Sequence, residues 1–178
     1  MRDGPPRVLL FVALGVAVAA AVAVLTIAIV RSHRVAQQGP LEISAVPAPQ
    51  ADTPECKTLM AALPQHLADF ERATPADPVP PATAAWRSAK VAQPVVLRCG
   101  VGQPAEFVVG VQLQEINGVE WFPLPDPATA RTTYLAVDRP VYVALTVPDG
   151  SGGAPVQEIA DVLAAKLPAV APRPGPPK

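Results

Sequence analysis

The sequence is poor in the side chains that most often do chemistry. Its 178 residues include two cysteines, two histidines and eight aromatic residues, and only 16% are charged. His33 and His66 are 33 positions apart with no cysteine or further histidine beside either, so they cannot assemble a zinc site. A hydrolytic triad needs a nucleophile, a histidine and an orienting acid. Ser44, Ser88 and Ser151 stand in none of the contexts that expose a nucleophile, and His66 reads as a surface residue. Gly150-Ser151-Gly152-Gly153 lacks the Lys-Ser/Thr that follows in a phosphate loop, so it reads as a turn. With 14 basic against 15 acidic residues there is no basic patch of the kind that binds nucleic acid. The expectation is therefore no catalytic residue, no metal, no cofactor and no nucleic-acid partner. The length also excludes a large multidomain enzyme.

What the sequence does have is 24 prolines, 32 alanines and one long apolar run. Val8–Val30 is 23 residues without charge or proline, with only Gly15 and Thr26 outside the apolar set. As a helix it would measure roughly 34 Å, enough to cross the hydrocarbon layer with some tilt. The rival is a cleavable signal peptide ending near Ala21-Val22-Ala23, but hydrophobicity continues through Leu25, Ile27, Ile29 and Val30. An uncleaved membrane anchor is the reading adopted. A lipoprotein is excluded because the first cysteine is Cys56. Basic residues flank the run on both sides, so charge leaves the orientation open. The cysteines decide it: Cys56 and Cys99 both follow the run and suit a disulfide, which persists outside the cytoplasm. Two buried, unlinked thiols remain the alternative.

The chain divides into a cytoplasmic amino terminus (1–7), the anchor (8–30), a Pro/Ala-rich tether (31–54), an extracytoplasmic domain (55–170) and a disordered proline-rich tail (171–178). Thr53-Pro54-Glu55 opens a helix, and Leu59, Leu63, Leu67 and Phe70 recur on one face of it, with a kink or break at Pro64. Residues 73–85 form a proline-rich loop. Beyond Gln93 the period falls to two. Strands are expected at 95–98, at 106–116 with Phe107, Val109, Val111 and Leu113 on one side, and at 119–122, 132–137 and 141–147. Asn117-Gly118 marks a hairpin turn, and Val156, Ile159, Ala160, Leu163 and Leu167 a closing helix stopped by Pro168. This is an α+β domain: an antiparallel sheet of about five strands, covered on one face by two helices and stapled by one disulfide.

The cysteine-led helix Cys56-Lys-Thr-Leu-Met-Ala-Ala-Leu-Pro64, then Ala85-Trp86, Val96-Leu-Arg-Cys-Gly-Val101 and Asn117-Gly-Val-Glu-Trp121, resemble a domain-of-unknown-function family of membrane- or lipid-anchored extracytoplasmic proteins of high-GC Gram-positive bacteria. The resemblance covers roughly Cys56–Leu167. Family members usually have glycine after the tryptophan, where this chain has Arg87. The resemblance implies a place in the cell envelope and no particular activity.

Two features qualify as a candidate binding surface. A two-residue turn at Asn117-Gly118 sets Glu115 opposite Glu120, a carboxylate pair able to raise one pKa or to hold calcium, or else two solvated charges. Trp86 and Trp121 are the second feature, either an exposed binding surface or rings covered by the proline-rich loop. The functional expectation is a single-pass membrane protein with a non-catalytic extracytoplasmic module that binds an envelope protein or cell-wall component. The alternative is an envelope hydrolase or transferase using Glu115 and Glu120.

Overall fold

The computed structural model describes residues 7–177, with side chains described for 11–27 and 39–177. It forms two units, Met1–Gly39 and Pro40–Lys178. The first is a single helix, α1 (Arg7–Gln38), whose described side chains are all exposed. Among the described residues no helix is long and apolar enough to cross a membrane, and the expected span Val8–Val30 runs past the described side chains at both ends.

In the second unit, α2 (Pro54–Ala62) begins where the Thr53 hydroxyl accepts the Cys56 N–H at 3.4 Å, with Pro54 in the first turn, where its missing N–H is no loss. It ends before Pro64, whose ring disfavours the helical conformation at Leu63, and Leu63 is accordingly extended (φ −64°, ψ 137°). This corrects the expected helical stripe. Leu67 and Phe70 lie in β1 (His66–Leu67) and β2 (Phe70–Ala73), a tight hairpin with Ala68 at φ 51°. Leu59, Leu63, Leu67 and Phe70 nevertheless enter one core, so their spacing reported a shared core rather than a shared helix.

The remaining elements are β3 (Thr83–Arg87), β4 (Val95–Cys99), β5 (Gln114–Ile116), β6 (Val119–Asp126), β7 (Arg131–Ala136), β8 (Val143–Pro148) and α3 (Ala154–Lys166). The strands form one eight-stranded antiparallel sheet in the order β1-β2-β3-β4-β8-β7-β6-β5. About five strands were expected. The difference is the β1–β3 end, built from segments that read as helix and loop because alanine and proline carry little β-propensity. Asn117 and Gly118 have φ of 50° and 73°, as a type I′ turn requires, and set Glu115 opposite Glu120.

Directly paired residues of antiparallel strands point to the same side, and this sorts the core into two layers. On one face Trp86, Leu97, Leu145 and Trp121 meet Leu59 of α2 and Ile159 and Leu163 of α3. On the other, Phe122, Leu135 and Ala144 are covered by Val101, Phe107, Val111 and Leu113. The expected strand over 106–113 is therefore a covering loop. Gly110 at φ 94° turns the chain, the Val111 N–H bonds back to the Val108 carbonyl at 3.3 Å, and Val109 points outward.

The tail and the tether also differ from expectation. Gly175 donates its N–H to the Phe107 carbonyl (2.9 Å) and accepts the Val109 N–H (3.0 Å), so the tail is hydrogen-bonded to the covering loop rather than disordered. α1 continues to Gln38, and Leu41 exchanges hydrogen bonds with Thr74 and Ala76, each 2.8 Å, so residues from Pro40 onward belong to the folded unit.

Cys56 and Cys99 form a disulfide, with both residues fully buried and 5.6 Å between their Cα atoms. It bolts α2 to the middle of the sheet. The bond closes a loop across a sequence separation of 43, which in the chain-entropy picture stabilises the fold by about 4 kcal/mol. Replacing both cysteines by serine should therefore lower the free energy of unfolding, measured by urea titration, by several kcal/mol.

Candidate functional site

The β5–β6 hairpin tip, the β7–β8 connection and the segment after α3 enclose an open groove of about 280 Å³, lined by Glu115, Gly118, Glu120, Asp138, Val170 and Pro172. Its walls are tied by backbone hydrogen bonds: the Val137 N–H to the Glu120 carbonyl (3.0 Å) and the Val170 N–H to the Asp138 carbonyl (2.9 Å). The hairpin itself is pinned to α3, since the Asn117 side-chain amide donates to the Asp161 carboxylate at 2.8 Å.

Under the groove lies an ion pair in the short connection between β7 and β8. Arg139 is 2% exposed, and its Nη1 meets Asp138 Oδ2 at 2.7 Å and the Asp138 carbonyl at 2.9 Å. Nη2 donates to the Gly118 carbonyl at 2.9 Å, so the guanidinium braces the hairpin tip from below. Asp138 Oδ1 and Arg139 Nε are buried without a hydrogen-bond partner among the described residues. The only advance sign of the pair was an Asp-Arg dipeptide between two strongly apolar strands.

The groove brings together Glu115 and Glu120, the two carboxylates expected to pair, and adds Asp138. The result is an acidic rim beside the apolar side chains of Val170 and Pro172, suited to hydrogen-bond donors and positive charge. Among the described residues no group of three or more His, Cys, Asp or Glu side chains is arranged to hold a metal ion.

The tryptophans are elsewhere. Trp86 and Trp121 have no exposed surface, which removes both as contact points for a ligand arriving from solvent. The Trp86 indole donates Nε1–H to the Pro64 carbonyl at 3.0 Å and carries the Arg72 guanidinium 4.8 Å from its ring centroid. Trp121 meets Tyr134 edge to face, with centroids 6.3 Å apart. Trp121 alternates with Phe122 and so lies on the opposite face, the one under the helices.

A family model described as a protein of unknown function, DUF3515, matches residues 14–172. The chain belongs to the DUF3515 family. No curated protein and no solved structure matches the chain. The matched stretch includes the hairpin, the groove and the disulfide.

Two substitutions separate the rim from its support. Arg139→Met leaves Asp138 buried without its partner and should cost about 3–5 kcal/mol in chemical denaturation. Glu120→Gln removes one of two facing like charges at the surface and should leave stability unchanged or raised by a few tenths of a kcal/mol.

Proposed function

We propose that the protein is a membrane-anchored, extracytoplasmic module of the cell envelope that binds an envelope component without turning it over. The observation that carries this reading is the uncharged apolar run Val8–Val30 inside the 32-residue α1, with the described side chains from Phe11 to Ile27 all exposed. Exposed Phe11, Leu14, Val18 and Leu25 are unfavourable in water and favourable in lipid. The disulfide supports a location outside the cytoplasm, where thiols oxidise. High-GC Gram-positive bacteria are the setting that the sequence motifs suggest, and the acidic groove is the surface offered for contact.

The test is fractionation of cells making the full chain with a carboxy-terminal epitope. The expected result is retention in the membrane pellet through alkaline carbonate, with the epitope digested by protease added to intact spheroplasts. A soluble chain, or an epitope protected until the membrane is broken, overturns the reading. The non-catalytic part has its own check: turnover of cell-wall material by the purified protein that disappears in Glu120→Gln would establish a carboxylate enzyme instead.

A further inference from the structure

The face of the sheet under the covering loop continues beyond it, and there it carries a charged group that neither the groove nor the anchor uses. The pairs Arg98↔Ala144, Val96↔Thr146, Thr146↔Thr133 and Pro148↔Arg131 put Arg98, Thr146, Thr133 and Arg131 on one side of β4, β8 and β7, in a diagonal line. The two threonine hydroxyls at the centre are 2.9 Å apart. One donates to the other, which leaves one O–H free to donate outward. All four side chains are partly buried and still reach solvent.

Neither arginine of this group has a carboxylate within ion-pair distance among the described residues. The Lys90–Asp69 and Arg139–Asp138 ion pairs involve neither Arg98 nor Arg131. Each of these two arginines has a buried Nε without a hydrogen-bond partner. Arg98 donates through Nη2 to a neutral group, the Ser44 carbonyl, at 3.2 Å. Burial first, and then the nearby Arg131 guanidinium, pull the Arg98 pKa down.

The nearest acid by register is Asp126, opposite Arg131, and it is already engaged. Its Oδ2 accepts the Thr129 hydroxyl at 2.6 Å and its Oδ1 the Ala128 N–H at 3.1 Å, closing the β6–β7 turn. The Thr129 hydroxyl is the main reason its pKa lies below the usual carboxylate range, and Arg131 is the smallest of the causes. Two guanidinium groups on one face of the sheet, each partly out of water and neither ion-paired, oppose folding, and an anion seated between them relieves that opposition.

We propose that Arg98, Arg131, Thr133 and Thr146 form a binding site for a phosphate group. A tetrahedral phosphate offers oxygens in several directions, one set to each guanidinium fork and one to the free threonine hydroxyl, whereas a planar carboxylate fills a single fork. The site deepens the binding-module reading and rests on it for its setting, in which the phosphate is either free in solution or the headgroup of an anionic lipid.

The test uses the full chain in neutral detergent and follows its melting temperature at constant ionic strength. Inorganic phosphate is added to one series, and phosphatidylglycerol or, as control, phosphatidylcholine to the micelles of another. The expected result is a rise with phosphate over chloride, with apparent affinity falling at least about tenfold in Arg98→Gln and in Arg131→Gln. Thr133→Val, which keeps both charges, should weaken binding by a smaller factor. A larger rise with phosphatidylglycerol than with inorganic phosphate identifies the lipid headgroup as the source, and the reverse identifies the free ion. Without ligand, Arg98→Gln should melt no lower than the parent, because it removes an uncompensated cation. The proposal is overturned by the absence of any rise with either phosphate source, by equal rises in the variants, or by a ligand-free loss of stability in both arginine variants. Those results leave the fractionation outcome standing, so the site and the anchor can fail separately.

Discussion

The second unit is organised around Cys99-Gly100, where several chain segments are fastened within two residues. The Cys99 sulfur holds α2, and its N–H donates to the Ala82 carbonyl at 3.0 Å. Gly100 donates to Tyr142 at 2.9 Å and accepts the Gln50 N–H at 3.1 Å. With φ at 78°, it lies so close to Gln50 and Ala51 that a Cβ would overlap their backbone. The entry segment, α2, the end of β4 and the start of β8 are thus all positioned by one cysteine and one glycine. A local change there is transmitted to every layer, because each layer has a direct bond to it.

From this node the sheet extends with cover on both sides, and the two covers differ in kind. The helices shield one face with regular apolar stripes, while the other is shielded by a loop that a bonded tail holds in place. A protein with only eight aromatic residues uses both tryptophans in the helix-covered layer. The polar and charged groups lie at the rims: the carboxylates of the hairpin tip, and the arginines where the covering loop ends. Charges at the margin of a low-dielectric core interact more strongly than they would in open solvent.

Much of this was legible from local pattern. Pro54 after Thr53 announced α2, Asn117-Gly118 announced its turn, and the stripe from Val156 to Leu167 announced α3, because each signal acts within one turn of chain. The facing of Glu115 and Glu120 followed from turn length alone. Other expectations failed where a local pattern has two physical origins. Alternation over 106–113 arises from a strand or from a loop that buries every second or fourth side chain, and Gly110 made it the second. A spacing of four, four and three residues from Leu59 to Phe70 arises from a helix or from successive elements converging on one core, and Pro64 made it the second.

The sequence by itself determined the apolar run, the cysteine pair, the hairpin register and the α+β class, since these depend on residue type and short-range spacing. Only the tertiary structure decided that the tail and the segment from Pro40 belong to the folded unit, because their hydrogen-bond partners lie more than thirty residues away. It also decided which charges matter. Arg139 sits under the acidic groove, and Arg98 and Arg131 share a patch, although nothing in their immediate neighbours marks them. An arginine's role is set by burial and by the charge that faces it, and both are products of strands meeting from distant parts of the chain.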